Sequence, residues 1–276
     1  MSPADMPFEL ASINASAALH VGSFISDVMV QYAQPRPWIL LQEGGENTYV
    51  SSAMPQKRNP GLMINTRAAA SDVIGQAQTV ILKAHNIPPG MSDPKSVSAN
   101  AKLANDTSAL LKQFTRVIKA LRVNPERALE ELNSDWTASQ EVADVLMREY
   151  KLPFRVGHHV ASHIVTYARN NNLSPTNFPY EQVKKIYAEV IKSEYPQGNP
   201  VCPMSEQEFR DTLNPTAIVA NRKTEGGPQP AELTKALSAA DAAIAEQREW
   251  TKQNRRHIDQ SLAKLDADFQ KLVEQK

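Results

Sequence analysis

Leu103-Ala104-Asn105-Asp106-Thr107-Ser108-Ala109-Leu110-Leu111-Lys112-Gln113-Phe114-Thr115-Arg116-Val117-Ile118-Lys119-Ala120-Leu121 reads as one long helix. Leu103, Thr107, Leu110, Phe114, Val117 and Leu121 step by four and three, which places them along a single stripe of an α-helix. The same rhythm recurs upstream in Ala17, Val21, Phe24, Val28 and Tyr32. Between these lies a third stripe, Val73, Ala77, Val80, Ile81 and Ala84, rich in alanine where helices can approach closely. Near the C-terminus, Leu233, Leu237, Ala240, Ile244, Gln247, Thr251, Asn254, Ile258, Leu262, Leu265, Phe269 and Leu272 keep a near-heptad rhythm. Polar residues interrupt it midway, so a single long helix is expected there without unbroken coiled-coil packing. No stretch alternates with the period of a strand, and only 10 glycines are available for turns. The fold class is all-α.

Prolines and glycines divide the rest. From about residue 34 to Pro60 the chain has no stable period and is long for an ordinary helix connection, which marks a functional or mobile loop. Ile87-Pro88-Pro89-Gly90-Met91-Ser92-Asp93-Pro94 separates the second and third stripes, and Asn124-Pro125 ends the third. Shorter helices are expected over Ala138 to Tyr150, Pro153 to Asn170 and Pro179 to Glu194, each opened by a capping residue or a proline in the first turn. Residues 1–132 therefore read as part of a long-helix bundle carrying a loop at 42–60. Residues 133–276 read as a smaller helical domain ending in a long helix.

The 276 residues are 41% apolar, enough to bury a substantial core. Lys plus Arg count 30 and Asp plus Glu count 30, so no basic excess draws the surface to nucleic acid or to anionic lipid. A mean hydropathy of -0.43 and the lack of a long uninterrupted apolar run argue against a membrane span. The polar start Met1-Ser2-Pro3-Ala4-Asp5 does not read as a secretory signal, and the expected address is the cytoplasm. Cys202 stands alone and reads as an ordinary packed or surface thiol. His159 and His163 share a helix face, but Val160 occupies the place of a metalloprotease glutamate and no third ligand is evident, so no metal is expected. No nucleophile elbow, dinucleotide fingerprint or phosphate loop is found, and the chemistry is expected to need no cofactor.

The stretch richest in chemistry is Tyr49-Val50-Ser51-Ser52-Ala53-Met54-Pro55-Gln56-Lys57-Arg58-Asn59-Pro60-Gly61. Asn59-Pro60 before a helical period reads as an N-cap and first helical residue, so amide donors and the positive end of a helix dipole should lie here. Two serines, the Lys57 ammonium and an amide side chain around a helix start would hold a carboxylate or a phosphate. On physics alone, a capped helix after a polar loop explains the same residues.

Ser51-Ser52-Ala53-Met54-Pro55-Gln56-Lys57-Arg58-Asn59-Pro60 resembles the signature loop of the aspartase/fumarase, or fumarate lyase, superfamily, in its argininosuccinate lyase-like form. The resemblance continues through Arg67-Ala68-Ala69-Ala70 and Ala138-Ser139-Gln140-Glu141-Val142-Ala143. It reappears in Leu152-Pro153-Phe154-Arg155-Val156-Gly157-His158 and in Asn214-Pro215-Thr216-Ala217-Ile218-Val219-Ala220-Asn221-Arg222. It implies a lyase that eliminates an amine from an N-substituted aspartate to give fumarate, a reaction that in this branch serves arginine biosynthesis. By resemblance Ser51 is the base that takes the proton from the carbon beside the carboxylate. Lys57 and Asn59 bind that carboxylate and stabilise the aci-carboxylate intermediate, and Ser52 contacts substrate. The resemblance also implies a homotetramer acting on a small succinyl or dicarboxylate substrate.

Two positions depart from the pattern. Val50 stands where the family has glycine, and its branched side chain should resist positive φ and stiffen the turn. Met91-Ser92-Asp93-Pro94-Lys95-Ser96-Val97-Ser98-Ala99 keeps almost none of the Tyr, Gln and Lys that hold the amino-acid end of argininosuccinate, which points toward another N-substituted aspartate. The family builds its active site from three sequence regions, of which this chain matches the last, so the expectation is a C-terminal half, truncated or split, that is incomplete alone and for which a separate N-terminal half is a candidate partner. The competing readings are adenylosuccinate lyase, a carboxymuconate cycloisomerase-like enzyme, and a catalytically inactive helical assembly fragment.

Overall fold

The computed structural model describes residues 5–85 and 97–274, and the chain divides into two compact units, Met1–Glu131 and Leu132–Lys276. In the first unit α1 (Asp5–Tyr32), α2 (Gly61–Ala84) and α3 (Val97–Ala120) pack on one another. The helical spacing sets what is buried: Ala11, Ala18, Val21, Ile25 and Val28 on α1 face Met63, Val73 and Ala77 on α2 and Leu103, Leu110 and Val117 on α3. Each large side chain in this core contributes about 1.5–3 kcal/mol by leaving water. Phe24 and Phe114 meet edge to face, with ring centroids 5.3 Å apart. The buried hydroxyls of Thr66 and Thr107 donate to the carbonyls one turn back, Leu62 at 2.7 Å and Leu103 at 2.8 Å, so neither interrupts the apolar seam.

By length and composition α1 is apolar enough to cross a membrane, a property that the mean hydropathy of the whole chain hides. Its buried stripe is covered by α2 and α3, as in the core helix of a bundle. The proline cluster at 87–94 lies outside the described residues.

The long connection after α1 contains strands, contrary to the expectation of none. They are β1 (Ile39–Leu41), β2 (Tyr49–Val50) and β3 (Arg58–Asn59), with β4 (Leu121–Val123) following α3. β1 pairs antiparallel with β4, Ile39 opposite Val123 and Leu41 opposite Leu121, and so ties the connection to the end of α3. Strands of two or three residues are too short to show a period of two, which is why the sequence does not announce them.

In the second unit α5 (Gln140–Tyr150), α6 (Phe154–Asn170) and α7 (Tyr180–Glu194) surround a core of Leu146, Ile164, Phe178, Val190 and Phe209. Pro153 and Pro179 precede α6 and α7 as cap residues instead of opening their first turns. Gly157 lets α6 approach α5 closely, because a Cβ there would sit 3.2 Å from the Ala143 Cα. Asn124-Pro125 does not end α3, which stops at Ala120 where the chain enters β4; it opens a further helix, α4 (Pro125–Ser134), with Asn124 Oδ1 accepting from the Arg127 N–H at 3.0 Å. The short helices α8 (Glu206–Thr212) and α9 (Pro215–Asn221) lead to α10 (Pro230–Glu274), a single unbroken helix.

Candidate active site

The signature residues form a β-hairpin. β2 and β3 pair antiparallel, Tyr49 opposite Asn59 and Val50 opposite Arg58, and residues 51–57 make the tip. Continuing that register by one position sets Ser51 opposite Lys57, so the two residues that the resemblance makes catalytic flank the mouth of one turn. Ser51 Oγ accepts from two main-chain donors, Met54 N–H at 3.1 Å and Ala53 N–H at 3.3 Å. The turn is closed by Lys57 N–H donating to the Met54 carbonyl at 3.0 Å. Ser51 is half-buried, whereas Ser52 and Lys57 are exposed, and among the described residues Lys57 forms no ion pair.

Asn59 is not the cap of α2. It belongs to β3, and its Nδ2 donates back across the ladder to the Tyr49 carbonyl at 3.3 Å, while α2 begins after Pro60 with no side-chain cap. The amide has a second N–H, which this bond leaves for a ligand. Val50 takes no positive φ; among the described residues, the non-glycine ones that do are Glu46, Lys151 and Asn172. Its backbone is strand-paired, where a β-branched side chain is favoured, so no positive φ is asked of it. The left-handed residues are instead Gly44, Gly45 and Glu46, in the turn that leads into β2.

Arg58 holds the hairpin from within. Its Nη1 donates to the Pro55 carbonyl at 2.7 Å and the Lys57 carbonyl at 3.2 Å, and its Nε meets Glu43 at 3.0 Å. From α1, the Tyr32 hydroxyl donates to the Arg58 carbonyl at 3.0 Å. Burial, then the nearby Glu43 carboxylate, raises the Tyr32 pKa above its usual value, against a smaller opposing pull from Arg58, so this donor keeps its proton. The Tyr49 ring lies where a Cβ on Gly61 would be, 2.9 Å from its nearest ring carbon, which fixes the hairpin against the start of α2. Sequence reading missed Arg58, Tyr32 and Glu43; alternation of Arg58 between Lys57 and Asn59 was the one local signal, and it spans too few residues to read.

Of the two histidines on one face of α6, His159 Nδ1 contacts the Glu194 carboxylate. Among the described residues, no three His, Cys, Asp or Glu side chains gather as a metal-binding group.

Comparison with known proteins then bears on most of the chain. The family described as argininosuccinate lyase C-terminal matches residues 136–220. The argininosuccinate lyase of Methanosphaera stadtmanae is 27% identical over 198 residues, covering 71% of this chain and 41% of that protein. Those of Methanococcus maripaludis and Methanothermobacter thermautotrophicus are 25% identical over 84% of the chain and 28% identical over 74%. Over most of its length this chain is similar to argininosuccinate lyases. It spans between 41% and 44% of the length of these relatives. EDDS lyase in complex with formate has a similar fold, with a TM-score of 0.73 at 21% identity, covering 89% of this chain and 48% of that one. A variant of EDDS lyase with bound fumarate gives a TM-score of 0.74 over the same coverage.

Proposed function

We propose that this fumarate lyase homologue supplies the signature hairpin of a carbon–nitrogen lyase that eliminates an amine from an N-substituted aspartate and releases fumarate. The observation that carries the reading is the cradle around Ser51: two main-chain N–H groups at its Oγ, with Lys57 opposite in the hairpin register. A serine hydroxyl is a very weak base in water. Oriented donors and an adjacent ammonium stabilise its alkoxide, and their effect grows when substrate excludes water.

In this scheme the Ser51 alkoxide removes the proton from the carbon beside the carboxylate. The electron pair moves into that carboxylate, giving the aci-carboxylate, whose charge the Lys57 ammonium and the remaining Asn59 N–H hold. Collapse of the intermediate forms the carbon–carbon double bond and expels the amine. Ser52 lies at the exposed tip, where it reaches substrate. The acid that protonates the amine is assigned to the family's other sequence regions, which these residues do not match. The argininosuccinate lyase relatives support the succinyl class, while residues 91–99 support an amine other than arginine. We further take the working enzyme to be a cytoplasmic homotetramer; the exposed Phe8, Ile13, Leu19 and Val30 of α1 support association of copies.

The test is fumarate release followed by ultraviolet absorbance with argininosuccinate, other aspartate–amine adducts and adenylosuccinate. The chain is assayed alone and mixed with the N-terminal region of an argininosuccinate lyase. Fumarate from one of these compounds is the expected result, with Ser51→Ala and Lys57→Ala each lowering the rate about 10²–10³-fold. Silence toward every succinyl compound in both formats overturns the lyase reading in favour of a helical assembly fragment.

A further inference from the structure

We propose that α10 pairs with the α10 of a second copy of this chain, antiparallel, about a two-fold axis passing between Lys252 and Gln253. α10 runs unbroken for 45 residues, about 68 Å at 1.5 Å per residue, and every residue described from Leu233 onward is exposed. Leu233, Leu237, Ile244, Ile258, Leu262, Leu265, Phe269 and Leu272 are between 44% and 65% exposed along one stripe. A helix this long with that much apolar surface lowers its free energy by covering it.

The stripe itself names the occupant, because it is self-complementary when reversed. Each seam residue falls within one position of the mirror image of another about the axis. Two antiparallel copies thus set Leu233 against Leu272, Leu237 against Phe269, Ala240 against Leu265, Ile244 against Leu262, Gln247 against Ile258 and Thr251 against Asn254. The small Ala240 meets a large partner in this register, as dense packing requires. A parallel pair in register would face Ala240 with Ala240 and leave a gap. The polar interruption also finds its place: Thr251 and Asn254 meet twice across the axis, where hydroxyl and amide can hydrogen-bond. Asn254, Ile258 and Leu262 step by four twice, a stutter that local unwinding of the pair absorbs.

Charge favours the same direction. Residues 230–251 carry two more acidic than basic side chains, whereas residues 252–274 carry one more basic than acidic. Antiparallel pairing sets unlike halves together and Arg248 near Asp259 of the other copy, while parallel pairing sets the acidic half against itself. Eight half-exposed seam side chains per helix, each losing on the order of 60 Å², remove roughly 1,000 Å² across two copies, which reaches the range of a specific interface. The positions flanking the seam add to this, Trp250 among them, which is 65% exposed.

The direction is tested by cross-linking the full chain. Ala236→Cys and Asp268→Cys are made separately, each with Cys202→Ser, mixed in equal amounts and treated with a short bismaleimide. The expected product is a dimer holding one chain of each variant, with at least a tenfold lower yield from either variant alone. Adding Leu237→Asp and Leu265→Asp should lower that yield at least tenfold while far-ultraviolet circular dichroism still shows the helices. Equal cross-linking by a single variant overturns the antiparallel register. No cross-link in the mixture, with helicity intact, overturns the pairing. So does a Trp250 fluorescence shift on phosphatidylserine vesicles without cross-linking, which would make the occupant a lipid surface.

Discussion

At Glu208 one carboxylate oxygen, Oε2, accepts from the Ser205 main-chain N–H at 3.3 Å and from the Tyr150 hydroxyl at 2.5 Å. The first bond is half of the capping box that starts α8, whose other half is the Ser205 Oγ accepting from the Glu208 N–H at 3.2 Å. The second ties α8 to the end of α5. Because the hydroxyl donates to an anion, that hydrogen bond, with burial next, pushes the Tyr150 pKa from 10.0 up to about 12. Between these values the folded chain keeps a proton that the unfolded chain has released. The stabilisation is therefore complete below pH 10 and fades as the pH rises toward 12. Tyr150→Phe should flatten this part of the pH dependence, read as the urea midpoint at pH 9, 10.5 and 11.5; an unchanged slope would place the effect on other groups. Ser205→Ala should cost about 1 kcal/mol in the same measurement at neutral pH, through the lost cap.

The hairpin shows what an element of two-residue strands needs in order to hold its shape. A ladder of two pairs is marginal in water, so its geometry rests on Arg58, on the Tyr32 hydroxyl and on the Tyr49 ring over Gly61. Arg58→Ala removes the donors to Pro55, Lys57 and Glu43. The main-chain amides of residues 49–59 should then exchange hydrogen about tenfold faster while the helices keep their protection, a change of about 1.4 kcal/mol in local opening. Unaltered exchange would mean that Tyr32 and Tyr49 suffice. The long helices were legible because stripes such as Leu103 to Val117 repeat over many turns, and burial selects that repeat. The loop stood out for a different reason: Ser51 and Lys57 belong to a run of residue types that resembles a family signature. What sequence could not convey is pairing across space. β1 meets β4 some eighty residues later in the chain, Asn59 gives up its capping role to a cross-strand bond, and Val50 is comfortable because its neighbour across the ladder holds it extended.

Each of the two units has its own apolar core, and the second also buries a charge. Glu141 is fully buried; its Oε1 accepts from Arg148 Nη2 at 2.6 Å, and its Oε2 faces Arg222 Nε at 3.7 Å, with neither atom of that second pair hydrogen-bonded. Arg222 is held in turn by Asp144 at 3.3 Å. Such a site costs solvation that attraction only partly returns, so it tolerates the loss of the whole pair better than the loss of one partner. The fragment 132–276 should unfold cooperatively by itself, since the cluster around Phe178 and Phe209 draws on no residue of the first unit. In that fragment Arg148→Met leaves the carboxylate with only the distant Arg222 and should lower stability by about 3 kcal/mol. Combining it with Glu141→Met, which removes the buried charge, should restore most of that loss. Urea unfolding of the fragment and its two variants decides the matter: if the double variant is no more stable than Arg148→Met alone, the side chains act through packing and the ion pair is incidental.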